Sequence, residues 1–319
     1  MNPRSRPSFN GVALIPYVIL VLLYVTMVLL EPNLFNFRWL GLKTNDAMTL
    51  ALVAMGQTVV ILAGGFDLSV GGVICLTNSI AALYMRNTPA GMLVMSLGML
   101  ALGAVIGLLN GIAITRTQLQ PFIVTLASWS VWGGVAIWIL PIDGGAPPRG
   151  FINALLARPG GISLSIILIA VFVLLWLVVR RTRIGVAIYA VGSSEKAAHL
   201  NGINVEHTKL FVYGVSGLLA AAAGLYRTAQ VASGSPLAGN SFIMASIVAA
   251  VIGGTSLAGG RGGLVGSIMG AMILRLITDV LVFLGVSTYW STLCQGLLLI
   301  VAVVVSSVAS MAKRKELGT

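Results

Sequence analysis

The 319 residues are 58% hydrophobic and 8% charged, with a mean hydropathy of +1.01, which excludes an ordinary soluble domain and predicts an all-α, polytopic membrane protein. The net charge of +11 would suggest nucleic acid in a soluble chain, but here the cations stand in short blocks between apolar runs. Membrane lipid is therefore the expected surround and no nucleic-acid partner is expected.

In chain order, Arg4 and Arg6 precede an apolar run from Gly11 to Leu30 that is too long for a signal peptide and is followed by no small-residue cleavage site. Glu31-Pro32-Asn33 ends it, so a retained first span is expected at 11–30. Further apolar segments of spanning length lie at 46–64, 68–85, 91–114, 121–140, 162–180, 208–229, 243–258, 263–284 and 289–311. About ten transmembrane helices are thus expected in one transmembrane domain covering 1–319. With the N-terminus inside, twelve Lys and Arg fall on the cytoplasmic side and five (Arg38, Lys43, Arg86, Arg149, Arg158) on the other, leaving Arg227 and Arg275 within spans. Both termini should then be cytoplasmic. Cys75 and Cys294 lie far apart in apolar segments and offer neither a disulfide framework nor metal spacing.

Between the second and third segments, Gly64-Gly65-Phe66-Asp67-Leu68-Ser69-Val70-Gly71-Gly72 should break the helix. Asp67 and Ser69 can cap the half-helix that follows, and irregular backbone is expected at Gly71 and Gly72. Gly64, Gly65, Asp67, Ser69, Gly71 and Gly72 are read as a hinge lining the pathway, although a tight hairpin would use the same residues. Gly103, Gly107 and Gly111 form one ridge of small residues at helical spacing, and Gly262, Gly266 and Gly270 another. Polar or aromatic residues inside spans supply candidates for a substrate path: Gln57, Asn78, Asn110, Thr125, Ser128, Trp129, Trp132 and Asp279. Helix packing would equally explain several of them, Asn110 above all.

The most polar long stretch runs from Arg180 to Lys209. It carries five cations (Arg180, Arg181, Arg183, Lys196, Lys209), the acids Glu195 and Glu206, and both histidines. Ser193 or Ser194 can N-cap a short helix over Glu195–Leu200 that Gly202 would close with a positive φ. Such a helix is marginal alone and needs a partner surface. Further on, Arg275 and Asp279 stand four residues apart on one helix face and can pair.

The run from Arg181 through Asn201-Gly202-Ile203-Asn204-Val205, continued by Lys209–Gly224, resembles the cytoplasmic coupling segment of the ribose-type permeases of ABC importers, a superfamily that also holds branched-chain amino-acid permeases. The break at Gly64–Gly72 resembles that family's GGxDLSVG motif. Similar blocks are Gly107–Gly111 through Gln120–Leu126, Ala250–Gly263 and Gly285–Trp290, so the likeness covers about 47–303. It implies that Ser194, Glu195, Lys196, Ala197, His199, Leu200 and Gly202 dock a separate cytoplasmic ATPase. It also implies a periplasmic sugar-binding protein that delivers a monosaccharide or polyol, and a second permease, either a copy of this chain or a paralogue. This chain has no G-x-x-x-x-G-K-[ST], HExxH or GxSxG, so no cofactor and no enzymatic activity are expected of it, Mg-ATP being bound by the partner ATPase. Two departures stand out: Ile243-Met244-Ala245 replaces the family's Glu-Leu-Asp, and Arg275 and Asp279-Val280 replace Gly and Asn-Gly. They leave open the usual sugar and the choice of homodimer or heterodimer. The alternative reading is an ion-coupled secondary transporter of a small polar solute, for which Asp279 and Asp67 are the only candidate coupling acids.

Overall fold

The computed structural model describes residues 15–30 and 36–286, with Trp290, Leu293, Gly296 and Leu297 beyond them. The helices are α1 (Ile15–Leu30), α2 (Phe37–Leu62), α3 (Val70–Tyr84), α4 (Pro89–Thr117), α5 (Pro121–Ile139), α6 (Arg149–Leu155), α7 (Leu164–Val179), α8 (Arg183–Ser193), α9 (Glu195–Leu200), α10 (Val205–Val231), α11 (Asn240–Ile252) and α12 (Leu264–Phe283). No strand occurs among the described residues apart from an isolated bridge between Gly144 and Gly234. Most of the expected span at 289–311, together with Cys294 and the two terminal basic blocks, lies outside the described residues.

Local chemistry sets the helix starts. The Asn36 side chain accepts from the Trp39 N–H at 2.7 Å, so α2 begins at Phe37 and not at 46. Arg38 and Lys43, expected in a loop, are therefore on the helix. Thr88 caps the Gly91 N–H at 3.1 Å with Pro89 in the first turn of α4, and Pro121 opens α5 in the same way.

Among the described residues, α2, α4, α5, α10 and α12 are long and apolar enough to cross a membrane, against the ten spans expected. α7 and α8 would make a sixth if taken together, but they meet at a 79° bend. α1, α3 and α11 are shorter apolar helices. The stretch after Arg180, expected to be loop up to Glu195, is instead largely α8, which Thr182 caps and which buries Ile188 and Val191. Large apolar side chains on α4, α5 and α7, such as Val94, Leu97, Trp138, Leu174 and Val178, point outward, as helices in hydrocarbon require.

α10 is the central pillar, packed on α2, α3 and α4. The first glycine ridge makes its contact with α4: a Cβ at Gly107 would run into the Tyr213 carbonyl, and one at Gly111 would stand 3.1 Å from the Leu210 Cα. Only Gly266 and Gly270 of the second ridge behave alike, against Gly253, which ends α11, and Ala249 within it. Gly262 precedes α12 and has φ +129°, because it turns the chain and does not belong to a helix face.

Candidate functional site

The short helix α9 forms as its sequence demands. The Ser194 hydroxyl accepts from the Ala197 N–H at 3.2 Å, and Gly202 closes the helix at φ +77° with its N–H on the His199 carbonyl at 3.0 Å. Ala198 turns inward, 4% exposed, whereas Leu200 stands 77% exposed. Lys196, Ala197 and His199 are exposed too. Glu195 is held by Lys209 at 2.7 Å, which ties α9 to the start of α10. Beside α9 lies a groove of about 1010 Å³ whose walls include Glu195, His199, Gly202, Gln118 and Gly64. A small helix with an apolar tip beside a polar groove is suited to receive another protein.

Directly behind α9, three glycine-rich segments meet backbone to backbone. The Gly260 N–H donates to the Leu62 carbonyl at 3.0 Å, joining the end of α2 to the turn between α11 and α12. Gly192, near the end of α8, fits against both: a Cβ there would collide with the Leu62 carbonyl and lie 2.8 Å from the Gly260 nitrogen. The Tyr189 hydroxyl adds a bond to the Gly262 carbonyl at 2.9 Å. Positive φ at Gly64 (82°), Gly254 (85°), Gly259 (82°) and Gly260 (67°) makes these turns possible. The sequence marked each segment separately; their convergence on Gly192 was not legible in it.

The expected helix break is present but differently built. The break covers residues 63–69, and Gly71 and Gly72 lie inside α3 as helical residues, contrary to the irregular backbone expected there. They are glycines for closeness: a Cβ at Gly71 would stand 2.6 Å from the Ile243 side chain, and one at Gly72 2.8 Å from the Trp129 carbonyl oxygen. Nor do Asp67 and Ser69 cap α3 with their side chains. One oxygen of Asp67 instead accepts the Ser69 N–H at 3.0 Å and the Ser69 hydroxyl at 2.5 Å. Asn110 of α4 donates to the same hydroxyl at 2.8 Å. The second Asp67 oxygen has no hydrogen-bond partner, with the Ser216 hydroxyl within reach of the carboxyl but closing no bond of its own. Gly65 is required by Tyr213, whose hydroxyl would lie 2.5 Å from a Cβ there and donates to the Phe66 carbonyl at 3.3 Å. Tyr213 carried no signal in the sequence.

The candidate path residues divide. Asn78 is buried in structural bonds to Thr228 at 2.8 Å and to the Ser235 N–H at 2.6 Å, and Asn110 bonds Ser69 in the helix break. Thr125 bonds back to the Pro121 carbonyl at 2.9 Å. Gln57 is fully buried with both amide atoms unpartnered. Trp129 is half-buried, its Nε1 donating to Asn240 at 3.1 Å. Ser128 and Trp132 are half-buried on the same helix.

The expected pair of Arg275 and Asp279 is present, and Lys43 joins it as the closer partner. The lysine Nζ lies 2.8 Å from one Asp279 oxygen, whereas the Arg275 Nε stands 3.9 Å from the other. Lys43 reaches Asp279 because α2 begins at Phe37, ahead of its apolar run.

Over residues 43–303 the chain matches the family described as branched-chain amino acid transport system / permease component. It is 37% identical over 298 residues to the ribose import permease protein RbsC of Escherichia coli, covering 91% of this chain and 92% of that one. It is 36% identical to the RbsC protein of Bacillus subtilis, covering 94% and 95%, and 34% identical to the fructose import permease protein FrcC of Rhizobium meliloti, covering 92% and 84%. No solved structure matches it.

Proposed function

The chain belongs to the permease-component family of branched-chain amino acid transport systems, and from that premise we propose that it is the membrane subunit of an ATP-driven importer for a monosaccharide or related polyol in the bacterial inner membrane. The relatives named for import of ribose, fructose and D-allose support the substrate class. The observation that carries the mechanism is the junction at Gly192. A short helix with an exposed apolar tip is joined through backbone contacts to both glycine breaks, so force applied to α9 reaches α2 and α3 on one side and α11 and α12 on the other. In this reading a cytoplasmic ATPase binds Mg-ATP and docks on α9 and its groove, and a periplasmic binding protein delivers sugar at the far end. A second permease, identical or paralogous, completes the pathway. The excess of Lys and Arg assigned to the α9 side agrees with a cytoplasmic location.

The reading is tested by co-purifying the subunit with the ATPase encoded beside it and measuring sugar-stimulated ATP hydrolysis in proteoliposomes. Sugar uptake that persists without the ATPase and collapses with an uncoupler would overturn it in favour of ion coupling. That alternative retains one feature, the unpartnered oxygen of buried Asp67; Asp279 is already held by Lys43.

A further inference from the structure

We propose that the cleft between α1, α2 and α12 binds one membrane phospholipid whose headgroup carries both a phosphate and a primary ammonium. The cleft has a volume of about 380 Å³ and is walled by Leu20 and Tyr24 of α1, Trp39 of α2 and Leu276 of α12, with Lys43 and Arg275 also lining it. Its body is apolar and α1 presents Val18, Val21 and Leu22 to the outside, so a hydrocarbon chain fits it. A hydrocarbon alone would leave the Arg275 guanidinium facing lipid, which is unfavourable. An amphiphile resolves both requirements.

The charges decide which amphiphile. Lys43 and Asp279 form the inner pair, their side chains 19% and 13% exposed at 2.8 Å, and the Lys43 ammonium also lies 5.7 Å over the Trp39 ring. That pair neutralises itself. Arg275, 45% exposed, and Asp46, 43% exposed, stand outside it, each only 3.9 Å from a member of the pair and electrostatically coupled to one another. One cation and one acid are therefore left facing outward. A purely anionic headgroup would satisfy the guanidinium and repel Asp46, and a choline headgroup has no N–H to give the carboxylate. A phosphate with a primary ammonium meets both, the planar guanidinium taking two phosphate oxygens. An apolar protein surface in the cleft would desolvate Arg275, which lines it, without compensation.

The test uses the full chain in nanodiscs of phosphatidylethanolamine, phosphatidylglycerol or phosphatidylcholine, followed by detergent extraction and mass spectrometry of retained lipid. Wild type should retain phosphatidylethanolamine about tenfold over phosphatidylcholine, the size of one charge-assisted hydrogen bond. Arg275→Gln should lose retention of all three, and Asp46→Asn should lose the preference for phosphatidylethanolamine over phosphatidylglycerol. Leu20→Trp fills the cleft without touching a charge, so a folded variant with no retained lipid separates site from stability. Equal retention of the three lipids by wild type, or retention unchanged in Arg275→Gln, overturns the proposal. Dissociation of a dimer in Leu20→Trp with no change in lipid would assign the cleft to a second copy of the chain instead.

Discussion

Ser69 spends both its N–H and its hydroxyl on one oxygen of Asp67, while the other oxygen is buried with no hydrogen-bond partner among the described residues. Such a site suits a neutral group better than an ion. Asp67→Asn keeps the acceptor for Ser69 and offers an N–H toward Ser216, so it should leave stability and uptake near wild type. Asp67→Ala strands the Ser69 donors at a cost of about 1–3 kcal/mol and should lower the thermal midpoint measured in detergent. Loss of uptake in Asp67→Asn with stability intact would show instead that the carboxylate itself is needed. Lys43 and Asp279 call for a different experiment. Removing one member of this partly buried pair leaves the other charge stranded, about 3 kcal/mol in comparable sites. Asp279→Asn should therefore lower membrane levels, and adding Lys43→Met should restore them. Adding Arg275→Leu should not, since that arginine lies 3.9 Å from the carboxylate against 2.8 Å for the lysine.

At the scale of elements, α9 exposes Leu200 while only Ala198 faces the protein behind it. Leu200→Asp should therefore leave folding unchanged, because the side chain packs on nothing, yet abolish co-purification with the ATPase; retained complex would remove α9 as the docking helix. Reversing Glu195 is the poorer test, since an arginine there would face Lys209 and disturb the start of α10 as well. Gly107→Leu on α4 should fail at an earlier step. Its side chain would enter the Tyr213 backbone and separate α4 from α10, a cost of about 1–3 kcal/mol or more readable as loss of folded protein in membranes. The sequence displayed α9 and this ridge because a cap residue, a closing glycine and a four-residue glycine period are local signals. α8 stayed hidden because Arg183 and Gly185 read as loop, although Ile188 and Val191 recur at helical spacing. The early start of α2 stayed hidden because Lys43 and Asp46 look solvated until Asp279, far away in sequence, supplies a partner.

Across the whole molecule, the sequence showed the apolar spans and each glycine break, but not that two breaks and the end of α8 share one contact, since backbone hydrogen bonds between distant segments leave no pattern in side chains. That contact makes the molecule's two halves mechanically distinguishable. Gly72→Val should jam α3 against Trp129 and block the pathway side alone, leaving the junction and the α9 surface intact. Such a variant should still bind the ATPase, with uptake lost. Gly192→Ala acts at the other end of the chain of contacts. Its methyl group has no room between the Leu62 carbonyl and the Gly260 nitrogen, and the obstacle is backbone, so α8 must shift away from both breaks. α9 itself keeps its cap, its closing glycine and its exposed leucine. The expected outcome is a subunit that inserts and binds the ATPase, with the ATPase turning over at its basal rate but no longer stimulated by added binding protein and sugar. Restored stimulation would be expected only from changes that reopen the space at the Leu62–Gly260 contact. If Gly192→Ala retains full stimulation and uptake, the junction packs the fold without transmitting motion, and force must reach α2 by way of α10 and the Glu195–Lys209 pair.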